Sequence, residues 1–464
     1  MLNRIEKSKR TFHSEIIENY ILETTSKFKS QNLKNIFTNC YPNTLDTTID
    51  FDPVNNDTFI ITGDIKAMWL RDSSFQIFPY LKFCTKDENL NKMILGLFNR
   101  QLNCIKIDPY ANAFNKDDSK SSIWKNDITY KKNSEGKFIN AMNNFLWERK
   151  YELDSLLIPI YTMCLYINYT QNFSILNEKF FECLNIILNL IEKEKRGTDD
   201  EDKENGPEYF FQRKIEEPFD SLHLGRGNPC KSNEMIKSSF RNSDDCTLFS
   251  YNIPENCLLV ATFNKLIEIL EKNNKFNEII NKLKEISNKV HKSIFSNGVF
   301  NENGNNFFAF EIDGFGNYYF MDEAGYPSLI SLPFFGFISN EDEIYKNTRK
   351  KILSDRNPYF IKGKFGEGLS SSHGKRKFIW TLFTIMRGLT SNDKNEVEEC
   401  LNLLVNSAVK TGFMHESFDV DDVDKYTRDW FCWANSFFGV LWSLLWKNFR
   451  RLFLINNIYY IFNI

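Results

Sequence analysis

The stretch DSLLIPIYTMCLYI, residues 154–167, is apolar nearly all the way round a helical wheel. A helix without a polar face is stable in water only when other elements wall it in on every side. Other long segments are amphipathic instead. CLLVATFNKLIEILEK (257–272) sets Leu259, Phe263, Leu266 and Leu270 on one face, with Lys265 and Glu268 turned away. Residues 175–195 and 276–295 repeat that pattern, and further helices are expected over 11–30, 72–84, 88–107, 376–389, 394–408 and 429–445. At typical helix and loop lengths this amounts to roughly a dozen helices. Fully apolar helices alternating with amphipathic ones predict an all-α, two-layer helical toroid, inner helices covered by outer ones. An α-solenoid is the competing architecture, but no repeat of fixed period is visible. Strand alternation is confined to YYFMDE and FFAFEID, which suit short β-hairpins in loops.

No break in composition marks a linker, so residues 1–464 are read as one domain. Within it, EKEKRGTDDEDKENGPE (192–208) reads as a solvated, mobile insertion, and 446–464 as an atypical C-terminal tail. The net charge of −3 carries no footprint for nucleic acid. The N-terminal stretch lacks a signal-peptide core, which points to a cytoplasmic location. The C-terminal GVLWSLLWKNFRRLFLINNIYYIFNI is interrupted by Lys447, Arg450 and Arg451. Stable membrane insertion is therefore not expected, although an amphipathic, membrane-grazing helix would fit. The ten cysteines form no C-x-x-C pair and read as reduced, buried thiols. The five histidines lack metal-ligand spacing, and there is no phosphate-binding glycine loop or G-x-S-x-G elbow. No metal or cofactor is expected.

What remains is carboxylates set among aromatics and amides. GDIKAMWLRDSS (63–74) places Arg71 and Asp72 beside Met68, Trp69 and Leu70, all of which favour burial. Buried charges must pair, so Arg71 and Asp72 either neutralise each other or line a polar pocket. FRNSDDCTLFSYNIPEN (240–256) sets Asp244 and Asp245 side by side. Taken alone, that doublet reads as a helix start with Ser243 or Asp244 as the N-cap. GFMHESFDVDD (412–422) brackets Glu416 with Phe413, Met414 and Phe418, and by itself suits a turn acid. DPYANAF (108–114) and WERKYELDS (147–155) mix aromatics and polar groups as sugar subsites do, or as ordinary helix starts do. A pair of carboxyls, one protonated and one ionised, is what glycoside hydrolysis requires.

NCYPNTLDTTIDF, DTFIITGDIKAMWLRDSSFQIFPYL, DPYANAFN, WERKYELDSL, FRNSDDCTLFSYNIPEN, FEIDGFGNYYFMDEAGYPSLISLPFFGF and TGFMHESFDVDDVDKYTRDWFCWANSFFG follow one another along the chain. In this order they resemble glycoside hydrolase family 125, the metal-independent exo-α-1,6-mannosidases, from about residue 10 to 440. The resemblance implies an (α/α)6 barrel and an inverting attack on terminal α-1,6-linked mannose of mannans or N-glycan-type oligosaccharides. It implies Glu416 as general base and either Asp244 or Asp245 as general acid. Trp69, Arg71 and Asp72 would grip the terminal sugar, with Asn112, His373, His415 and Arg428 in the same cleft. An inactive mannan-binding relic and an (α/α)6 exo-glycosidase of other specificity are the alternatives. The chain departs from the family pattern GFRPSDD, with Ser239 for the glycine and Asn242 for the proline. It also carries Glu323 and Gly325 in MDEAGYPSL, Ser372 before His373, and Val440 where an acid is common.

Overall fold

The helix Leu153–Thr170 is buried along almost all of its length, as its lack of a polar face requires. Each fully enclosed Leu or Ile in it contributes about 1.5–3 kcal/mol relative to exposure. In this computed structural model the described residues are 2–133, 135–204, 206–214, 220–272 and 276–455, the side chains of 445–455 excepted. The remainder of the atypical C-terminal tail, 456–464, lies outside them. The described part of that tail continues the helix Cys432–Ile455.

Where the sequence shows no boundary, the chain divides into two compact units, each assembled from separate stretches. One comprises Met1–Lys66, Asp72–Asn99 and Pro358–Ile464; the other comprises Ala67–Arg71 and Arg100–Asn357. The chain changes unit inside the helices Leu70–Ile77 and Glu88–Ile107.

In the second unit Leu153–Thr170 packs against Ile253–Glu271, which in turn packs against Asn277–Asn297. The last of these is amphipathic and buries Ile280, Leu283, Val290 and Ile294. Segment 192–208 holds a short helix, Thr198–Lys203, because Glu201 is buried and ion-paired with Lys237 and Arg226. In the first unit Cys432–Ile455 packs on Gln31–Cys40, Asn43–Thr47 and Thr381–Leu389. Its aromatic rings also meet the helix Leu70–Ile77: Phe75 stacks on Trp433 at 5.0 Å and meets Phe437 edge-on at 5.1 Å. A Cβ on Gly439 would lie 2.5 Å from the Tyr41 ring, so only glycine lets these helices approach so closely.

Short strands lead directly into several helices. Met68–Trp69 precedes Leu70–Ile77, Tyr251–Asn252 precedes Ile253–Glu271, and Phe378–Trp380 precedes Thr381–Leu389. They form small antiparallel sheets: Met68–Trp69 with Ala113–Phe114 and Leu146–Glu148, and Phe378–Trp380 with Ser417–Asp419 and Asp422–Thr427. The FFAFEID and YYFMDE segments pair as Glu311–Ile312 against Tyr318–Tyr319, with Tyr251–Asn252 on the other edge. The polar motifs sit at these strand ends. All ten cysteines carry free thiols, and no described helix is long and apolar enough to cross a membrane.

Candidate active site

The aspartate doublet does not start a helix. Ile253–Glu271 begins later, capped by Asn252, whose side chain accepts the Glu255 N–H, with Pro254 in the first turn. Residues 241–245 instead form a tight loop closed by the Phe240–Cys246 bridge and by the Arg241 N–H donating to the Asp245 carbonyl at 2.8 Å. Asp244 sits at its tip with φ +68°, a left-handed conformation that aspartate tolerates better than most residues. Asn242 ties the loop down by donating to the Pro327 carbonyl at 2.7 Å. Ser243 donates to Glu323 at 3.2 Å.

The two aspartates of the doublet lie in different surroundings. Asp245 is buried, 3% exposed, and close enough to Arg241 and Glu323 to act on both electrostatically. Arg241 is itself clamped by Glu311 at 2.6 and 3.1 Å. Burial, with Asp245 adding to it, pushes the Glu323 carboxyl up to about 7. Asp244 is half-buried. Its Oδ1 accepts from Asn112 Nδ2 at 3.3 Å, its carbonyl accepts from Lys150 Nζ at 2.6 Å, and its carboxyl is a hydrogen-bond partner of Glu152.

Asn112 is fully buried, and its Nδ2 also donates to Glu148 and Glu152, both at 3.1 Å. Arg71 Nη1 pairs with Glu152 at 2.7 Å and Asp154 at 3.4 Å, so its carboxylates come from WERKYELDS. Asp72 is buried in the first turn of its helix, near Cys432. The acids gather at helix N-termini, where the helix dipole favours negative charge. Glu152 is the N-cap residue of Leu153–Thr170, and the Leu153 N–H donates to Glu255 Oε2 at 3.1 Å. Burial foremost, then the neighbouring Asp244 and Asp154, raise Glu152 well above the ordinary carboxylate range despite Arg71. Glu255 is raised for the same reason, by burial and then Asp154. For Lys150 burial works downward, but Glu148 and Asp244 outweigh it and keep the ammonium charged. Trp69 is buried, and its indole N–H meets no protein acceptor among the described residues.

Glu416 belongs to the other unit and immediately precedes the strand Ser417–Asp419. Its carbonyl accepts the Thr381 N–H at 3.0 Å. Oε1 is ion-paired with Arg428 Nε at 3.0 Å, and Oε2 accepts from Thr427 Oγ1 at 3.2 Å. Arg428, with φ +53°, also holds Asp64 at 2.6 Å. His415 is buried, stacked on Tyr426 at 3.8 Å, and hydrogen-bonded through Nδ1 to the Arg428 carbonyl at 2.8 Å. Burial lowers its pKa, so the ring is neutral and serves to fix Arg428. His373 is exposed in a loop, edge-on to Trp380. The indole N–H of Trp380 also meets no protein acceptor among the described residues.

Sequence reasoning passed over Glu148, Glu152, Asp154, Lys150 and Thr427. A signal for the first four was available: their charges lead straight into a helix with no polar face, so they enter the interior with it. Among the described residues no group of His, Cys, Asp and Glu could hold a metal ion.

A family model for the metal-independent α-mannosidases, glycoside hydrolase family 125, matches residues 30–442. The Meiotically up-regulated gene 157 protein of Schizosaccharomyces pombe is 37% identical over 441 residues, 93% of this chain and 86% of its own. A Streptococcus pneumoniae α-mannosidase, solved in a non-productive complex with α-1,6-mannobiose, superimposes with a TM-score of 0.87 at 36% identity. That match covers 94% of this chain and all of the other. A bacterial glucoamylase bound to acarbose shares the fold at TM-score 0.54 and 13% identity, over 92% of this chain and 57% of its own. The fold class is thus the (α/α)6 toroid expected from the sequence. The chain belongs to glycoside hydrolase family 125, the metal-independent α-mannosidases.

Proposed function

We propose that this enzyme removes non-reducing terminal α-1,6-linked mannose, with inversion, from mannans or N-glycan-type oligosaccharides. Asp244 is the general acid and Glu416 the general base. The observation that carries the choice within the doublet is exposure. A general acid must reach the glycosidic oxygen, and Asp244 is half-buried at the tip of its loop while Asp245 is enclosed with Arg241 and Glu323. The pneumococcal relative's complex with α-1,6-mannobiose supports the linkage.

In the reaction Asp244 gives its proton to the departing oxygen as the glycosidic bond breaks. Glu416 takes a proton from the attacking water, and the new C–O bond forms with inverted configuration. Arg428 and Thr427 fix the Glu416 carboxylate. A buried donor without an acceptor costs about 1–3 kcal/mol, and a sugar hydroxyl on Trp69 Nε1 removes that cost. Arg71 and Asn112 act chiefly by holding the carboxyls around Asp244.

Proton NMR of an α-1,6-linked dimannoside during turnover tests this reading. The β anomer of mannose is released first, and EDTA leaves the rate unchanged. First release of the α anomer would refute inversion. Asp244→Asn removes turnover while Asp245→Asn folds less stably; the reverse pattern would reassign the acid. Binding of the dimannoside with no product would make the chain a mannan-binding relic.

A further inference from the structure

The carboxyl next to Asp244 has no part in the scheme above, yet it is better held than Asp244 itself. Glu152 Oε1 accepts from Asn112 at 3.1 Å, and Oε2 accepts from Arg71 at 2.7 Å and from Ser155 Oγ at 2.8 Å. Asn112 Nδ2 reaches Asp244 Oδ1 from the same position at 3.3 Å. One amide therefore spans both carboxyls and sets their separation. We infer that Glu152 is the positioning partner of the general acid: the two carboxyls share one proton, and this keeps Asp244 loaded for transfer to the leaving oxygen. The inference rests on Asp244 being that acid.

Two carboxylates in hydrogen-bonding contact cannot both be ionised at ordinary cost, and they titrate as a pair. The surrounding charges agree with a retained proton. Facing Glu152 are Arg71 and the carboxyls of Asp154 and Asp244, and Glu255 lies beside Asp154. Facing Asp244 from the other side is Lys150, shared with Glu148 and Asp220, and Arg213 is paired with Glu148. The acids outnumber the cations around this pair, and burial raises Glu152. When the glycosidic bond breaks, the shared proton leaves with the sugar oxygen. Both carboxylates are then ionised, Glu152 on Arg71 and Asp244 beside Asn112 and Lys150. The proton released from water to Glu416 passes to solvent, and the pair takes up a proton for the next turnover.

The test is Glu152→Gln in the full-length enzyme, which keeps the side-chain shape and removes the charge. Without a like-charged neighbour Asp244 ionises at lower pH. The alkaline limb of the kcat profile on the α-1,6-dimannoside moves down by about one pH unit, a tenfold change in the proton equilibrium. On the dimannoside kcat falls at least tenfold with KM within threefold. On 2,4-dinitrophenyl α-mannoside, whose leaving group needs no proton, the loss is under threefold. Equal loss on both substrates, or an unmoved alkaline limb, would reduce Glu152 to a structural role. Asp244→Asn that retains turnover of the dimannoside would instead sink the acid assignment. Should Glu152→Gln not fold, infrared difference spectra of wild type against Asp244→Asn decide. Loss or shift of a protonated-carboxyl band at neutral pH supports the shared proton, and an unchanged band overturns it.

Discussion

The surroundings of Asp244 and of Glu416 are opposites. Asp244 stands among carboxyls: Glu152 in contact, Glu148 through Asn112, with Asp154 and Glu255 behind. Glu416 stands among donors, with a guanidinium on one oxygen and a hydroxyl on the other. Burial, together with the carboxyls of Asp244 and Asp154, raises Glu152 beside Asp244 well above the ordinary carboxylate range. In the mechanism proposed above, one chain prepares an acid and a base from the same functional group by choosing the neighbours.

The largest effects are expected at the two carboxyls. Asp244→Asn and Glu416→Gln each lower kcat on the α-1,6-dimannoside by roughly 10²–10⁴-fold, and Glu416→Gln leaves the dissociation constant within a few-fold by calorimetry. Full activity in either would remove that residue from the mechanism. Next comes the buried arginine. Arg71→Met strands Glu152 and Asp154, both fully enclosed. Loss of one partner of such a pair costs about 3–5 kcal/mol in denaturant unfolding.

Glu323 sharpens the contrast through pH. Its carboxyl is pushed up from 4.5 to about 7 by burial, so the folded chain binds its proton more tightly than the unfolded chain. The resulting stability is fully present below about pH 4.5 and is lost as pH rises through about 7, to the extent of roughly 3 kcal/mol. Glu323→Gln flattens this part of the melting-temperature profile; an unchanged slope between pH 5 and 8 would show that Glu323 is not protonated in the fold. The smallest effect belongs to the partly exposed arginine. Arg428→Met costs about 1 kcal/mol or less in stability, even as it lowers kcat by loosening Glu416. A stability loss as large as that of Arg71→Met would erase the distinction between the two regions.

Much of the architecture was legible because burial leaves a pattern. The apolar circumference of 154–167 demanded enclosure, and the helices at 88–107 and 394–408 lie where periodicity places them, whereas the helix expected over 376–389 starts only at Thr381, after the strand Phe378–Trp380. The doublet misled because an acid before an apolar run has the same appearance whether it caps a helix or ends a loop. What decides is Asn252, a better-placed cap several residues on. Arg71 illustrates the other limit. Two carboxylates that hold Arg71, Glu152 and Asp154, arrive from a distant stretch of the chain. Which distant acid meets a buried cation is fixed by tertiary packing, and a single sequence carries no local trace of it.

Asn242 carries one more consequence. A proline at that position stiffens a loop by itself, through its ring, whatever lies nearby. Here the stiffness is borrowed, because the amide of Asn242 leans on the carbonyl of Pro327. Asn242→Pro would cut that tether and take away this donor to the carbonyl, slackening the loop that carries Asp244. Asn242 and Pro327 thus latch two segments of the chain together.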